Sequence, residues 1–559
     1  MVFRPVRAGG VPAATAALAW AVHPKGTGEM RVRDALGPLF ADEDFEHERF
    51  AGMFAALGRP ALSPGLLAMV TVLQFLHNLS DREAVVAMAD RISWKYALGL
   101  DVAETGFDAS VLAEFRARLA EPGRADALLD TVLDKLKAAG LVRAGGRART
   151  DSTHVLAAVR SLGRVEMLGE SVRAALEEIA RVAPERVVPL LAPGWEERYG
   201  RKVETSRLIG RGRGKATMEE LAGRFGADGS LLLETLKADP TAGWVLRLPQ
   251  VRLLAQVWEQ HFERSEGGGW VLKAVTDLPP AAELPISPYD PDARYAVKRA
   301  SGWEGGKVHL TESCDEDLPH LVTDVATSAA TVQDSAQTTD IQERLLARGL
   351  GPGVHVMDAG YPTAANLIAA AGHGITLIAP VTVSSGRGAK TGTFSPREFE
   401  IDWDTGRARC PGEKVSNPMR GQKNGLVAFS FSRRDCTPCP LRTACLSAPA
   451  PRPRVLVVHP REPYEARMNA IRTQHTPEWQ KVYNQRAGIE GTISQAVRIS
   501  DLRHSRYRGL PKNHLQNVLT GIAINIRRLG AHYAPTQTKP RRPTRIQALY
   551  DTHHIGKPA

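Results

Sequence analysis

The chain has 559 residues, a length typical of two to four domains, and its apolar fraction of 43% is ample for packed cores. Its 72 Lys and Arg residues exceed its 61 Asp and Glu residues by 11, and the pI near 9.5 is compatible with a nucleic-acid partner or simply with solubility. The apolar run at 11–22 is too short to span a bilayer and precedes no disulfide framework, which excludes a membrane or secreted class. We therefore expect a cytoplasmic protein with an N-terminal arm, residues 1–40.

Residues 41–140 are predicted to form an all-helical N-terminal domain. Apolar residues recur there at helical spacing, and two breaks, Gly58-Arg-Pro60 and Gly106-Phe-Asp108, separate the helices. Such a bundle can bind DNA in a helix-turn-helix manner, or it can serve dimerisation or structure alone. The pattern leaves both alternatives open.

A short strand is predicted around the first candidate catalytic residue, in Arg-Thr-Asp151-Ser-Thr-His-Val, so that the Asp151 carboxylate projects from a sheet. Residues 161–269 then follow a helical pattern and are interpreted as a helical insertion. Beyond the insertion the pattern predicts three strands and a helix, at 293–298, 306–311, 320–325 and 338–348.

The second candidate, Asp358, follows a buried-looking strand in Gly353-Val-His-Val-Met357-Asp358, after which Gly360 and Pro362 turn the chain. An aspartate at a strand end is more often a turn former. Open α/β sheets, however, place their chemistry just past the carboxyl ends of strands. We therefore keep Asp358 as a candidate beside Asp151.

Four of the five cysteines lie in a second insertion, residues 381–469, which is predicted to be rich in β-structure. In a reducing cytoplasm such clusters more often bind metal than form disulfides, and four thiolates suit tetrahedral Zn²⁺. Unligated cysteines or an iron-sulfur cluster are the alternatives. The four residues are Cys410, Cys436, Cys439 and Cys445.

The third carboxylate lies in Tyr483-Asn-Gln-Arg486-Ala-Gly-Ile-Glu490, where Tyr483, Arg486 and Glu490 are predicted to share one stripe of a helix. Taken alone, Arg486 and Glu490 predict an intrahelical ion pair. A cluster of basic residues follows this helix and could lead DNA to it. Its members are Arg498, Arg503, Arg506, Arg508 and Lys512.

Three converging carboxylates would repel one another unless cations neutralise them. Two divalent ions do so, and they can also clamp the attacking and leaving oxygens of an in-line displacement at phosphorus. Mg²⁺ suits an oxygen-only site of this kind. Asp151, Asp358 and Glu490 together therefore predict phosphodiester cleavage or strand transfer.

These motifs resemble those of the DDE transposases of bacterial insertion sequences, most closely the 1182 family of those elements. The resemblance covers residues 3–529. It is carried by Thr-Asp151-Ser-Thr-His-Val, Tyr-Ala-Val-Lys298-Arg, Lys307-Val-His-Leu, Asp358-Ala-Gly-Tyr, Tyr483-x2-Arg486-x3-Glu490, Arg506-Tyr-Arg-Gly-Leu-Pro-Lys512, and in the N-terminal region Asn78-Leu-Ser-Asp-Arg82 and Trp94-Lys-Tyr.

The resemblance implies an α/β fold with a ribonuclease H-like catalytic core, preceded by the helical domain and interrupted by both insertions. In this family Asp151, Asp358 and Glu490 match the triad that holds two Mg²⁺ or Mn²⁺ ions, and Tyr483 and Arg486 match positions that hold transposon-end DNA. The implied partners are double-stranded DNA, as terminal inverted repeats and target, and a second copy of the chain in a homodimer on DNA. The core would comprise residues 141–160, 270–380 and 470–530, and a basic disordered tail would occupy 531–559.

One position departs from the family pattern. The wider signature has a lysine seven residues after the glutamate, where this chain has Val497, and the nearest cation is Arg498. An ideal helix would place Arg498 about 80° from Glu490 around its axis. Two other functions stay open for the chain: a metal-dependent nuclease without strand transfer, and a domesticated, inactive DNA-binding protein.

Overall fold

A computed structural model describes residues 10–54, 61–203, 215–265, 269–298, 301–382, 394–446, 452–535 and 544–553. Residues 41–140 form helices, as the sequence predicts. Two more helices form within residues 1–40, which were predicted to be an N-terminal arm. Local capping starts several of them: the Ser63 side chain accepts from Leu66 N, and Ser80 and Glu83 form a capping box. The helices are Ala13–Val22, Gly28–Leu36, Pro64–Leu76, Asp81–Asp90, Ile92–Leu98, Ser110–Leu119 and Arg124–Ala138.

A six-stranded mixed sheet forms the centre of the molecule. Its strands are β1 Arg147–Leu156, β4 Arg294–Lys298, β5 Ser301–Ser313, β6 Val322–Ala329, β7 Val354–Val356 and β8 Thr376–Ile378. The long strand β5 pairs antiparallel with β1 on one side and with β4 and β6 on the other, and β1, β7 and β8 are parallel. The predicted strands and the predicted helix, here Thr338–Ala347, are confirmed. A further helix, Ala364–Gly372, connects β7 and β8.

Two further units lie between these strands and helices, each with its own hydrophobic cluster. The predicted helical insertion contains Arg164–Val182, Trp195–Tyr199, Lys215–Ala238 and Pro249–His261, followed by a hairpin of β2 Phe262–Arg264 and β3 Trp270–Leu272. The cysteine-containing insertion is β-rich as predicted, with strands β9 Glu400–Asp402, β10 Arg407–Arg409, β11 Arg420–Gly421, β12 Val427–Ser430 and β13 Val455–Val458, and short helices Arg433–Cys436 and Arg442–Cys445.

The C-terminal part of the chain returns to the sheet as helices. The segment predicted as one stripe consists of Pro477–Tyr483, a 3₁₀ turn Asn484–Arg486, and Ala487–Ser500, which we call the Glu490 helix. Within the predicted disordered tail, Arg545–Thr552 form a helix. The other two helices are Arg461–Thr473 and the C-terminal core helix Leu510–His532. No helix in the described ranges is long and apolar enough to cross a membrane.

The N-terminal helices and the sheet share a single hydrophobic core. The C-terminal core helix lies between them, and its apolar stripe is buried as the sequence pattern predicts. Salt bridges add to the contact: Arg348, which is 7% exposed, pairs with Asp126 and Asp130 of the helix Arg124–Ala138 at 3.1 and 2.6 Å. The domain boundary that the sequence predicts at residue 140 therefore does not separate two hydrophobic cores. The stripe residues are Leu515, Val518, Leu519, Ile522 and Ile526.

A buried carboxylate joins the Glu490 helix to the sheet. Glu312 of β5 is fully buried, and it accepts hydrogen bonds from Arg149 Nε at 2.6 Å and from Thr492 Oγ1 of the Glu490 helix at 2.6 Å. Arg528 of the C-terminal core helix forms a second salt bridge to it. Arg149 also donates to Gln485 O, at 2.7 Å, directly before the Glu490 helix. A buried charge is tolerated only when it is paired in this way.

This attachment requires a glycine at position 488. A Cβ on Gly488 would overlap the Arg149 guanidinium, whereas a Cβ on Gly491 of the same helix would meet nothing within 4 Å. We expect Gly488→Ala to lower the free energy of unfolding by about 1–3 kcal/mol, because it displaces Arg149 from Glu312. Gly491→Ala should be neutral or stabilising by up to about 1 kcal/mol, since alanine favours helix. Chemical denaturation measures both, and equal effects of the two variants would contradict this account.

Candidate functional site

Asp151 lies in β1, and Asp358 lies two residues beyond the end of the neighbouring parallel strand β7. The last paired residues of β1 and β7 are Arg149 and Val356, and the same register continued by two residues aligns Asp151 with Asp358. Asp358 is near enough to Asp151 for its charge to raise the pKa of that carboxyl. The Asp358 carboxylate accepts from Gly360 N at 2.7 Å, in the turn that the sequence predicts after β7.

Arg486 joins Asp151 to the third carboxylate. Its Nη1 lies 2.9 Å from Asp151 Oδ2, and its Nη2 forms an ion pair with Glu490 one turn further along the chain. The guanidinium thus bridges β1 and the Glu490 helix, and Arg486 is 335 residues from Asp151 in sequence. The ion pair between Arg486 and Glu490 that the sequence predicts is present, and Arg486 forms a second ion pair, with Asp151.

A cavity of about 750 Å³ opens beside these carboxylates. Asp151 and Glu490 line it together with several cations, as expected for a surface that receives an anionic ligand. Arg498 and Val497 also line it, so Arg498 faces the same space as Glu490 even though it is eight residues further along the helix. The cationic and aromatic lining residues are Lys298, Lys307, Arg498, Arg503, His154 and Trp303.

A fourth carboxylate, Asp334, adjoins the site and was missed from the sequence. It pairs with Lys307 Nζ at 3.0 Å and accepts from Ser152 Oγ at 3.2 Å, next to Asp151. It lies in the turn before the helix Thr338–Ala347, where no local pattern distinguishes it from a helix-start acid. Only the folding of β5 and β6 brings it to the site.

The other predicted DNA-binding cations have different surroundings. Arg503 donates to Thr153 Oγ1 at 3.2 Å and lines the cavity. Arg506 lies over the Phe75 ring and donates to Leu79 O at 2.8 Å, so its guanidinium joins two parts of the protein. Arg508 and Lys512 are exposed, and the Arg508 guanidinium lies 5.3 Å from the centre of the Tyr289 ring.

An aromatic stack adjoins Arg486. The Tyr483 ring lies 5.9 Å from the Arg486 guanidinium and stacks on Trp479 with ring centres 4.8 Å apart. Trp479 was not singled out from the sequence, although its spacing of four residues from Tyr483 is the signal for a shared helix face. Stacked aromatic rings are a common surface for unpaired bases.

The four cysteines of the second insertion lie near one another with free thiols. Cys410 Sγ and Cys439 Sγ are 3.7 and 3.5 Å from the point where a Cβ on Gly412 would lie. The Cys436 sulfur accepts from Arg454 N at 3.5 Å. Burial raises the pKa of Cys445, and the charges of the other three cysteines raise it further. The fifth, Cys314, is buried elsewhere, in a position that raises its pKa to about 11.

In the part of the chain that the structure describes, no group of three or more His, Cys, Asp or Glu side chains is arranged to hold a metal ion. At the acidic site the chemistry of the donors nevertheless fits a hard cation, because Asp151, Asp358 and Glu490 offer oxygen ligands only. The Arg486 guanidinium already stands in as a cation between Asp151 and Glu490. Of the three carboxylates, Asp151 and Glu490 thus share one cation, the Arg486 guanidinium.

Burial raises the pKa of Asp151 to about 6, and the charge of Asp358 raises it as well. The hydrogen bond from Ser152 N and the charges of Arg486 and Lys298 act in the opposite direction and only partly offset the burial. Perturbed carboxyl groups of this kind cluster at functional sites. The ionised form of Asp151 is therefore less favourable in the folded protein than in the unfolded chain, and a further cation would stabilise it.

Comparison with protein families gave two matches. Residues 409–530 match a model described as a transposase DDE domain, and residues 28–118 match a transposase domain, DUF772. The first match includes Glu490, Arg486 and the four clustered cysteines, whereas Asp151 and Asp358 lie outside both ranges. No curated protein matches the chain.

The raised pKa of Asp151 predicts a pH-dependent stability. Between about pH 4 and pH 6 the folded protein keeps a proton that the unfolded chain has already released, so stability falls as the pH rises through this window. In EDTA, Asp151→Asn should therefore be more stable than the wild type at pH 7.5, by about 1–3 kcal/mol, and similar to it near pH 4.5. Thermal denaturation at both pH values measures this difference, and a difference independent of pH would contradict the assignment.

Proposed function

We propose that this chain, a DDE transposase of an insertion sequence by its two domain matches, cleaves the ends of its element and joins them to target DNA. The observation that carries the proposal is the contact of Asp151 and Glu490 with one guanidinium, that of Arg486, beside a cavity lined by cations. The charge of Asp358 also acts on Asp151. The strand order, with β1, β7 and β8 parallel and β5 antiparallel, supports the proposal that this core is ribonuclease H-like.

Asp151, Asp358 and Glu490 would hold two Mg²⁺ ions. When bound, such a pair neutralises the carboxylates and stabilises the attacking and leaving oxygens of an in-line displacement at phosphorus. The chain contributes the placement of the three acids: β1 and β7 align the two aspartates, and the network around Glu312 holds the helix that carries Glu490. No covalent bond between protein and DNA is required.

The cavity cations would bind the DNA backbone next to the acids. Lys298, Arg498 and Arg503 line the same space as Asp151 and Glu490, so a phosphate held there lies beside the carboxylates. Arg498 would make the phosphate contact that the family pattern assigns to a lysine. Tyr483 would contact the transposon end noncovalently, and we propose that two copies of the chain act together on paired ends.

The test is strand cleavage and joining on a duplex that carries the terminal repeats of the element, in Mg²⁺. We expect Asp358→Asn to lower both reactions by at least about a hundredfold, because a neutral amide cannot take the place of a metal-binding carboxylate. Asp340→Asn, at an exposed acid on the neighbouring helix, is the matched control and should act like the wild type. Equal activity of Asp358→Asn and the control would refute the proposal.

The same assay separates the two alternative functions. A nuclease without strand transfer would cut the duplex and leave the ends unjoined, whereas an inactive DNA-binding protein would shift the duplex in a gel without cutting it. Joined products that depend on Asp358 are expected only from a transposase.

We also propose that the four clustered cysteines bind one structural Zn²⁺. Four thiols at one side of the small hydrophobic cluster would repel one another as thiolates, and a tetrahedral ion would draw them together. Gly412 leaves open the space beside Cys410 and Cys439 that a side chain would fill. The module buries few large apolar residues, so a metal would stabilise it considerably.

Elemental analysis of the purified protein should therefore give about one zinc per chain. The double variant Cys436→Ser, Cys439→Ser should lose the zinc, while Cys314→Ala, which removes the buried cysteine outside the cluster, should retain it. A wild-type protein that contains no zinc and has the same melting temperature with and without added Zn²⁺ would exclude this site.

A further inference from the structure

We propose that Arg486 is an internal counter-ion that occupies the cation position between Asp151 and Glu490, so that the divalent metal binds only when Arg486 leaves. The proposal rests on the proposed function, because it concerns the same three carboxylates. It adds an order of events: DNA draws Arg486 away, and the metal replaces it.

The geometry shows that the guanidinium uses the oxygens that a metal would need. Arg486 contacts Oδ2 of Asp151 at 2.9 Å with one nitrogen and Oε1 of Glu490 with the other. The planar fork of an arginine can bind two carboxylates at once, as a single divalent ion bridging them would. Both cannot occupy the same oxygens, so the arginine and the metal exclude each other.

The two ion pairs of Arg486 are strong enough to compete with a metal ion and exposed enough for a ligand to break them. The Arg486 side chain is 20% exposed, that of Asp151 15% and that of Glu490 58%. The buried side of the bridge is poorly hydrated, which strengthens the ion pair with Asp151. The open side at Glu490 lets solvent or a ligand reach the guanidinium.

The backbone around Arg486 supports a movement of this side chain. Arg486 ends a 3₁₀ turn, Asn484–Arg486, between two α-helices, and short 3₁₀ stretches within helices often mark hinges. Within the described ranges, the backbone of this turn accepts one hydrogen bond from the sheet, from Arg149 Nη1 to Gln485 O at 2.7 Å.

A DNA phosphate is the partner that can take Arg486 from the acids. Arginine binds phosphate with the same two-pronged geometry that it uses for a carboxylate. The aromatic stack of Tyr483 and Trp479 adjoins Arg486 and precedes it in the chain, whereas Glu490 follows it, and a DNA strand would stack on these rings. A strand bound there would release two carboxylates for the metal, so DNA and metal should increase each other's affinity.

The experiment measures Mn²⁺ binding by electron paramagnetic resonance, in the full-length protein without DNA. We expect Arg486→Gln to bind Mn²⁺ about tenfold more tightly than the wild type, which corresponds to about 1.4 kcal/mol. Lys298→Gln is the control matched in charge, because Lys298 lines the same cavity and its charge lowers the pKa of Asp151. It should change the affinity less than about twofold, as a screened charge does.

A second arm adds a duplex that carries the terminal repeats. The duplex should tighten Mn²⁺ binding to the wild type and leave Arg486→Gln almost unchanged, since no arginine remains to be displaced. If Arg486→Gln binds Mn²⁺ no more tightly than the wild type, or no more tightly than Lys298→Gln, the internal counter-ion is excluded. Asp358→Asn tests the proposed function separately: Mn²⁺ binding equal to the wild type would remove Asp358 from the metal site, whatever Arg486 does.

Discussion

The salt-bridged carboxylate of Glu312 is the interaction on which the placement of the candidate site depends. A fully buried carboxylate costs several kcal/mol unless opposite charges and hydrogen bonds satisfy it. Here the partners come from different parts of the chain: Arg149 from β1, Arg528 from the C-terminal core helix, and Thr492 from the Glu490 helix. These contacts can all form only when that helix lies directly against the strand that carries Asp151. The requirement to satisfy one charge thus holds two of the three candidate acids in place.

The negative charges of the site acids are neutralised differently, by the side chains of Lys307 and Arg486. Asp334, in the turn before the helix Thr338–Ala347, is paired with Lys307, whereas Asp151 and Glu490 share Arg486 beside the cavity. Burial and the charge of Asp358 raise the pKa of Asp151 to about 6, so its ionised form is less favourable in the folded protein than in the unfolded chain. A site of this kind lowers the stability of the free protein in return for cation affinity, as functional sites commonly do.

The shared core determines how the helical region and the sheet act together. The C-terminal core helix contacts both, and Arg348 adds paired charges between the helix Arg124–Ala138 and β6, through Asp126, Asp130 and Asp324. A DNA end bound by the helical region would therefore have a fixed position relative to the acids. Arg506 strengthens the same attachment through Leu79 O, so a cation predicted to bind DNA has a structural contact in this protein.

The sequence by itself determined the elements and the residue types of the site. Period-two and period-3.6 patterns located β4 to β7 and the helices of residues 41–140 and of the helical insertion, but not the helices of the N-terminal arm and the tail. The strand-end position of Asp358 and the helical spacing of Arg486 and Glu490 were readable because they depend on neighbours in the chain. Only the tertiary structure decided that Arg486 bridges Asp151 and Glu490, that Asp334 adjoins them, and that Arg498 faces the cavity. Those contacts join residues far apart in sequence, and long-range pairing depends on how whole elements pack, which no local pattern contains.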